Sequence, residues 1–299
     1  MLAGTSCALA LTPWWTRKVA ANGRAGYVHP MHARFTKMHG LGNDFAVFDA
    51  RAGALPIDPT LAARLADRNT GIGCDQLIAI EPPRSSGDVF MRIWNADGRE
   101  VAACGNATRC VAALLGGHAR IETLAGELSV HPAASGFTVD LGPPRFAWDE
   151  VPLAYPLDTA DLPLAWDGLE RPSALSVGNP HVVFFVDDAG AVALADIGPR
   201  IESDPLFPEG VNVGVAEVIA PNRLNLRVWE RGAGLTRACG TGAAAAAVAA
   251  HRRGITDRRV QVDQAGGSLR IDWRTDGHVL MTGPAAVSYT GEVDLGAYG

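Results

Sequence analysis

Short apolar runs bounded by Gly, Pro, Asn or Asp recur along the chain and read as strands. They lie at Phe35–Met38, Phe45–Ala50, Leu77–Ile80 and Phe90–Trp94, with a meander at Ile121–Thr123, Leu128–His131 and Thr138–Leu141. Helical spacing is rarer. Pro59–Asn69 sets Leu61 and Leu65 on one face, and Cys104–Leu115 runs until Gly116-Gly117 stops it. After a break at Gly142-Pro143-Pro144 and a Pro-rich connection over Pro152–Asp167, the order resumes. It gives a strand at Val182–Val186, a helix near Ala191–Arg200 and strands at Val211–Val218 and Leu224–Trp229. A helix over 240–252 and strands over 258–263, 268–273 and 278–282 follow. The pattern predicts an α+β protein of two pseudo-symmetric domains, 31–148 and 149–284. Each would be a curled mixed or antiparallel, barrel-like sheet around a central helix, with 285–299 returning to the first as a strand and the active site in the cleft between them.

The symmetry is carried by a duplication. RIWNADGREVAACGNATRCVAAL (Arg92 to Leu114) lies on RVWERGAGLTRACGTGAAAAAVAA (Arg227 to Ala250) at one constant offset: Arg92 on Arg227, Trp94 on Trp229, Cys104 on Cys239, Gly105 on Gly240. A second echo pairs Gly42-Asn43-Asp44-Phe45 with Gly178-Asn179-Pro180-His181. The period is too long and the copies too few for a solenoid. In each long copy a cysteine stands directly before a helix start rich in Gly and Ala. Free N–H groups and the positive dipole end favour an anion there, so the thiol is expected to lean toward thiolate. The glycines let a ligand carboxylate approach the amides. Burial as plain core is the competing reading for one cysteine; it gives no reason for thiol and helix start to be duplicated together. Cys110 falls on another face of its helix and is expected in the core. Cys74, in the Thr70–Gly73 turn, has no counterpart in the second half and is left unassigned.

Composition narrows the class. The chain has 299 residues, a net charge of −6, Gly 34 and Pro 19, which fits a turn-rich fold and supplies no basic stripe for nucleic acid. No apolar run reaches a membrane-spanning length. Five scattered cysteines, an odd number, argue for a reducing cytoplasm over a disulfide framework. No CxxC or HExxH spacing suggests a metal, and no pyridoxal site is evident. In Met1–Pro30 the basic Arg17 and Lys18 follow the apolar stretch instead of preceding it. That order suggests an extension outside the fold, or a start placed too early, over a signal peptide.

KMHGLGNDF (Lys37 to Phe45), DQL (Asp75 to Leu77), NADG with ACGN (Asn95 to Asn106), GNPH (Gly178 to His181), ERGAG (Glu230 to Gly234), ACGTG (Ala238 to Gly242) and MTGPA (Met281 to Ala285) together resemble the diaminopimelate epimerase family. KMHGLGNDF and ERGAG with ACGTG set it apart from proline racemase. Arg99 departs from the family's usual Ser. The resemblance implies a cofactor-independent cytoplasmic isomerase, expected as a homodimer, interconverting LL- and meso-diaminopimelate for lysine and peptidoglycan precursors. Inverting an α-carbon that way needs one base and one acid on opposite faces, roles the resemblance gives to Cys239 and Cys104 in the LL to meso direction. The amides at Gly105-Asn106 and Gly240-Thr241 would hold the α-carboxylate. Asn43, Gln76, Asn95, Asn179, Asn212, Glu230 and Arg231 match substrate-contacting positions, and His181 and Glu230 are placed to tune the thiols. The alternatives are another two-cysteine isomerase, such as a proline racemase, and a thiol redox module without turnover.

Overall fold

The computed structural model describes residues 32–298; the expectation for Met1–Pro30 lies outside them. The first half runs β1 (His32–Gly40), β2 (Asn43–Asp49), α1 (Pro59–Ala66), β3 (Gln76–Glu81), β4 (Val89–Asn95), α2 (Gly105–Leu115), β5 (Ala119–Thr123), β6 (Gly126–Ala133) and β7 (Gly136–Asp140). A small hairpin, β8 (Ala165–Trp166) and β9 (Leu169–Glu170), lies in the connection. The second half runs β10 (Ser173–Ser176), β11 (Pro180–Val186), α3 (Leu194–Glu202), β12 (Asn212–Ala220), β13 (Arg223–Glu230), β14 (Gly234–Thr236), α4 (Gly240–Arg252), β15 (Arg259–Gln264), β16 (Gly267–Trp273) and β17 (Val279–Gly283). The last strand, β18 (Ala286–Asp294), pairs antiparallel with β1.

The two halves repeat the same pairing. β1–β2, β3–β4, β5–β6 and β6–β7 are antiparallel, while β2–β3 and β4–β5 are parallel. β10–β11, β12–β13, β15–β16 and β16–β17 are antiparallel, and β11–β12 and β13–β15 parallel. Each parallel step is a crossover that carries a helix, as parallel neighbours require. The halves meet where β7 pairs with β17, so one 16-stranded sheet runs through both. Thr138 and Thr282 share a 2.8 Å hydroxyl hydrogen bond at this join.

Each half wraps its sheet around a buried helix. In α2, Gly105 through Ala112 are buried; in α4, Gly240 and Gly242 through Ala250 are. The near-absence of large side chains on α4 lets sheet and helix approach closely on all sides, and its burial stems from packing more than amphipathicity. Two helices differ in length from the expectation. α1 stops at Ala66 because the Asp67 carboxylate takes the N–H groups of Asn69 and Thr70, forming a turn. α3 begins at Leu194 because Asp188 holds the N–H groups of Gly190 and Ala191 in the same way. β10 and β14 carry no period long enough to read.

One carboxylate organises the 84–87 loop. Glu122 accepts the N–H groups of Arg84 (2.7 Å), Ser85 (2.9 Å) and Gly87 (2.7 Å) and the Ser85 hydroxyl (2.7 Å). These bonds, the Ser85 hydroxyl foremost, hold its pKa down at about 2. A depressed carboxylate stabilises the fold fully above its unfolded pKa, about 4.3, and loses that contribution as pH falls toward 2. Glu122→Gln is therefore expected to lower the melting temperature at pH 7. The gap from wild type should narrow at pH 3 in paired thermal melts; an equal gap at both pH values would contradict the charge's role.

Candidate active site

Cys104 and Cys239 are the N-cap residues of α2 and α4, both in extended conformation, with φ −149° and −118°. The helix starts meet at Met281 of β17. A Cβ at Gly105 would stand 2.7 Å from Met281 Cε, and one at Gly240 would stand 2.8 Å from Met281 Sδ. Glycine at both positions is thus a matter of space. Cys239 Sγ accepts the N–H of Gly242 at 3.3 Å and lies 3.6 Å from Thr241 Oγ1; Gln264 Oε1 fixes the Cys239 N–H at 2.8 Å. Cys104 Sγ has no cap bond and faces Asn43 Oδ1 at 3.9 Å.

The polar residues form two clusters. On the Cys104 side, Asn43 Oδ1 also accepts from Asn106 Nδ2 at 3.1 Å, and Asn43 Nδ2 donates to Asp75 at 3.0 Å. Asp75 and Asp44 share the Arg68 guanidinium, and Asp44 pairs with the buried Lys37 at 2.6 Å. Gln76 Nε2 donates to Asn95 Oδ1 at 2.9 Å, leaving Gln76 Oε1 buried without a partner. On the Cys239 side, Asn179 Nδ2 reaches Thr241 Oγ1 at 3.4 Å and its Oδ1 meets His181 Nε2 at 3.0 Å. Asn212 Oδ1 accepts the Arg231 N–H at 3.0 Å, and the exposed Arg231 guanidinium donates to Glu209 O at 2.7 Å. Glu230 Oε1 accepts from Thr236 Oγ1 at 2.5 Å. One bond crosses between clusters: Asn106 Nδ2 also donates to Ala238 O at 3.2 Å.

Sequence reasoning missed Thr236 and Gln264, and it quoted Asp75 and Met281 only as motif residues without a role; all four contact the named residues. It also missed Arg109. Arg99 pairs with Asp97 at 2.6 Å, and its guanidinium stands beside Gly232 of the opposite loop, 3.3 Å from where a Cβ there would lie. The substitution therefore reaches the loop that follows β13 in the second half.

Electrostatics corrects one expectation. Helix amides do pull Cys104 toward thiolate, yet burial and then the negative charge of Glu230 outweigh them and raise its pKa to about 11. Burial, then Glu230, also raises Cys239 well above the ordinary thiol value. Desolvation penalises the charged form more than free N–H groups reward it, so both thiols are protonated with the site empty. Burial raises Glu230 itself. Burial, then Arg231, lowers His181 to about 3. A neutral imidazole acts on this site through its hydrogen bond to Asn179, not through charge. Cys110 is fully buried in the core around α2. Cys74, also buried, is raised to about 11 by its burial.

The same architecture occurs in a hydroxyproline epimerase from Agrobacterium vitis with bound trans-4-OH-L-proline (TM-score 0.63, 15% identity, covering 88% of this chain and 92% of that one). It occurs again in a PhzF-family phenazine biosynthesis protein from Bacillus anthracis (TM-score 0.63, 15% identity, 88% and 99%). That likeness defines the class as a duplicated, sheet-dominated α+β fold. In sequence, residues 35–147 and 173–288 match the diaminopimelate epimerase family. The diaminopimelate epimerase of Erythrobacter litoralis is 58% identical over 269 residues, covering 90% of this chain and all of that one; the Sphingopyxis alaskensis enzyme is 59% identical with the same coverage. The chain belongs to the diaminopimelate epimerase family and is an isomerase of the racemase and epimerase type.

Proposed function

We propose that the protein interconverts LL- and meso-2,6-diaminopimelate without a cofactor, with Cys239 as base and Cys104 as acid in the LL to meso direction. The observation that carries this is the placing of both cysteines as N-caps of duplicated helices whose starts pack against one methionine. The substrate α-carboxylate sits on the amides of Gly105-Asn106 and Gly240-Thr241, where charge developing on the deprotonated carbon is also stabilised. Its α-ammonium pairs with Glu230. That pairing cancels the negative charge that, after burial, raises both thiols, so substrate entry itself favours formation of one thiolate. The Cys239 thiolate takes the α-proton from one face while the Cys104 thiol gives its own to the other. Arg231 and the amides of Asn43, Gln76, Asn95, Asn179 and Asn212 hold the distal amino-acid head and exclude the wrong stereoisomer.

Residues 31–148 and 149–284 form the two domains, with 285–299 completing the first. The reaction belongs to cytoplasmic lysine and peptidoglycan precursor synthesis. Among the described residues no helix is long and apolar enough to cross a membrane. The chain works as a homodimer, a reading supported by β18, a sheet edge that exposes Val287 and Tyr289. The test is incubation with LL-diaminopimelate in deuterated water. The product should be the meso isomer with one deuterium at the inverted α-carbon, and proline should remain unlabelled. No exchange into diaminopimelate, or labelling of proline instead, would overturn the assignment.

A further inference from the structure

The largest fully buried side chain in the described protein is charged: Arg109, on the second turn of α2, is 0% exposed. Among the described residues no carboxylate lies within ion-pair distance of it. Its guanidinium donates instead to neutral acceptors. These are Pro284 O at 3.1 Å, Asn106 Oδ1 at 3.0 Å, Gly105 O at 3.5 Å and Met281 Sδ at 3.6 Å. It fills a slot left by two glycines far apart in the chain. A Cβ at Gly40 would stand 3.0 Å from Arg109 Nη2, and one at Gly283 would stand 3.4 Å from Nε. The duplication puts Ala244 at the equivalent place on α4, so the cation has no twin.

Burying a cation without an anion costs several kcal/mol. The fold accepts that cost at the one point where Asn43, Asn106 and Ala238 converge. Asn106 Oδ1 is held by Arg109, which forces its Nδ2 toward Asn43 Oδ1 and Ala238 O. Asn43 Oδ1 is also the acceptor facing the Cys104 thiol. We infer that Arg109 is a positioning residue of the two-thiol site: from its glycine slot it fixes the amide that ties Asn43 to the Cys239 loop, and it sets the site's fixed positive charge on the Cys104 side. The inference rests on the proposed reading and deepens it, because it makes two duplicated thiols unequal. The anion that answers Arg109 arrives with the reaction, as the Cys104 thiolate or as the carboxylate held at the start of α2. The other groups bearing on Cys104 are Glu230 at the end of β13, Cys239 before α4, and Cys110 on α2 itself. The N–H groups of Ala107 and Asn106 also favour an anion on Cys104, and among the groups bearing on it Arg109 is the full positive charge.

The test reads thiolate formation separately from turnover. Native protein is treated with iodoacetamide and the alkylation of each cysteine followed by peptide mass spectrometry. Arg109→Met is expected to slow Cys104 alkylation about tenfold, as a shift of one unit would, with Cys239 slowed less than about twofold. Arg109→Lys keeps the charge but not the planar fork. It should leave Cys104 alkylation within about threefold and lower kcat about tenfold with little change in KM, as expected for lost positioning. A folded Arg109→Met protein with unchanged Cys104 alkylation would overturn the charge role. If that variant fails to fold, Arg109→Lys decides: unchanged kcat overturns the inference, and a fall in kcat with Cys104 alkylation retained supports it. The alkylation arm needs no diaminopimelate turnover, so failure of the substrate assignment would leave it readable.

Discussion

Cys104→Ala and Cys239→Ala are each expected to abolish epimerisation in a protein that still folds. In the proposed mechanism each thiol acts once per turnover, one removing and one delivering a proton, and a positioned acid or base contributes about 10²–10⁴-fold. Because neither step completes inversion alone, the double variant should be no worse than either single one. The fold cost differs between the two. Cys239 Sγ caps α4 by accepting the Gly242 N–H, whereas Cys104 caps nothing. Cys239→Ala should therefore lose the larger share of melting temperature, a cap being worth about 1 kcal/mol. Stereoisomer conversion resolved by chiral chromatography is the measurement. More than a few per cent of wild-type activity in either variant would refute the two-base mechanism.

Glu230→Gln should push activity and thiol reactivity in opposite directions. Its carboxylate raises both thiols in the empty site, so removing the charge lowers both and speeds their alkylation. In the proposed reading the same change leaves the substrate ammonium without its partner at a buried carboxylate. Truncating one member of such a pair costs about 2–5 kcal/mol, which is on the order of 30- to 4,000-fold in kcat/KM. Faster alkylation with slower turnover is the signature. Slower alkylation of both cysteines, or unimpaired turnover, would show that Glu230 is not the anion seen by both thiols.

The sequence made the duplicated cysteines legible because the feature is local. A cysteine, two glycines and a run of alanine define a helix start without reference to anything else. The alternation of strands and helices was legible for the same reason, as were α2 and its Gly116 stop, where φ is 85°. What escaped depends on distant residues. The thiol state is a contest between helix amides and burial, and burial exists only once the sheet has closed around α4. Arg109 looks from its neighbours Thr108 and Cys110 like any charge on a helix. Its buried slot is bounded by Gly40 and Gly283, each at the end of a strand far along the chain. The pairing of β7 with β17 escaped too, since neither strand names its partner, and it merges two expected sheets into one.

That join ties the two halves into one body. Four residue pairs, from Leu280–Asp140 to Gly283–Phe137, carry the sheet from one half to the other. The halves are therefore not separate bodies on a flexible tether. A rotation of one against the other would have to wring this short ladder and break the Asn106–Ala238 bond. The spacing of the two helix starts is therefore set by the backbone before any ligand arrives.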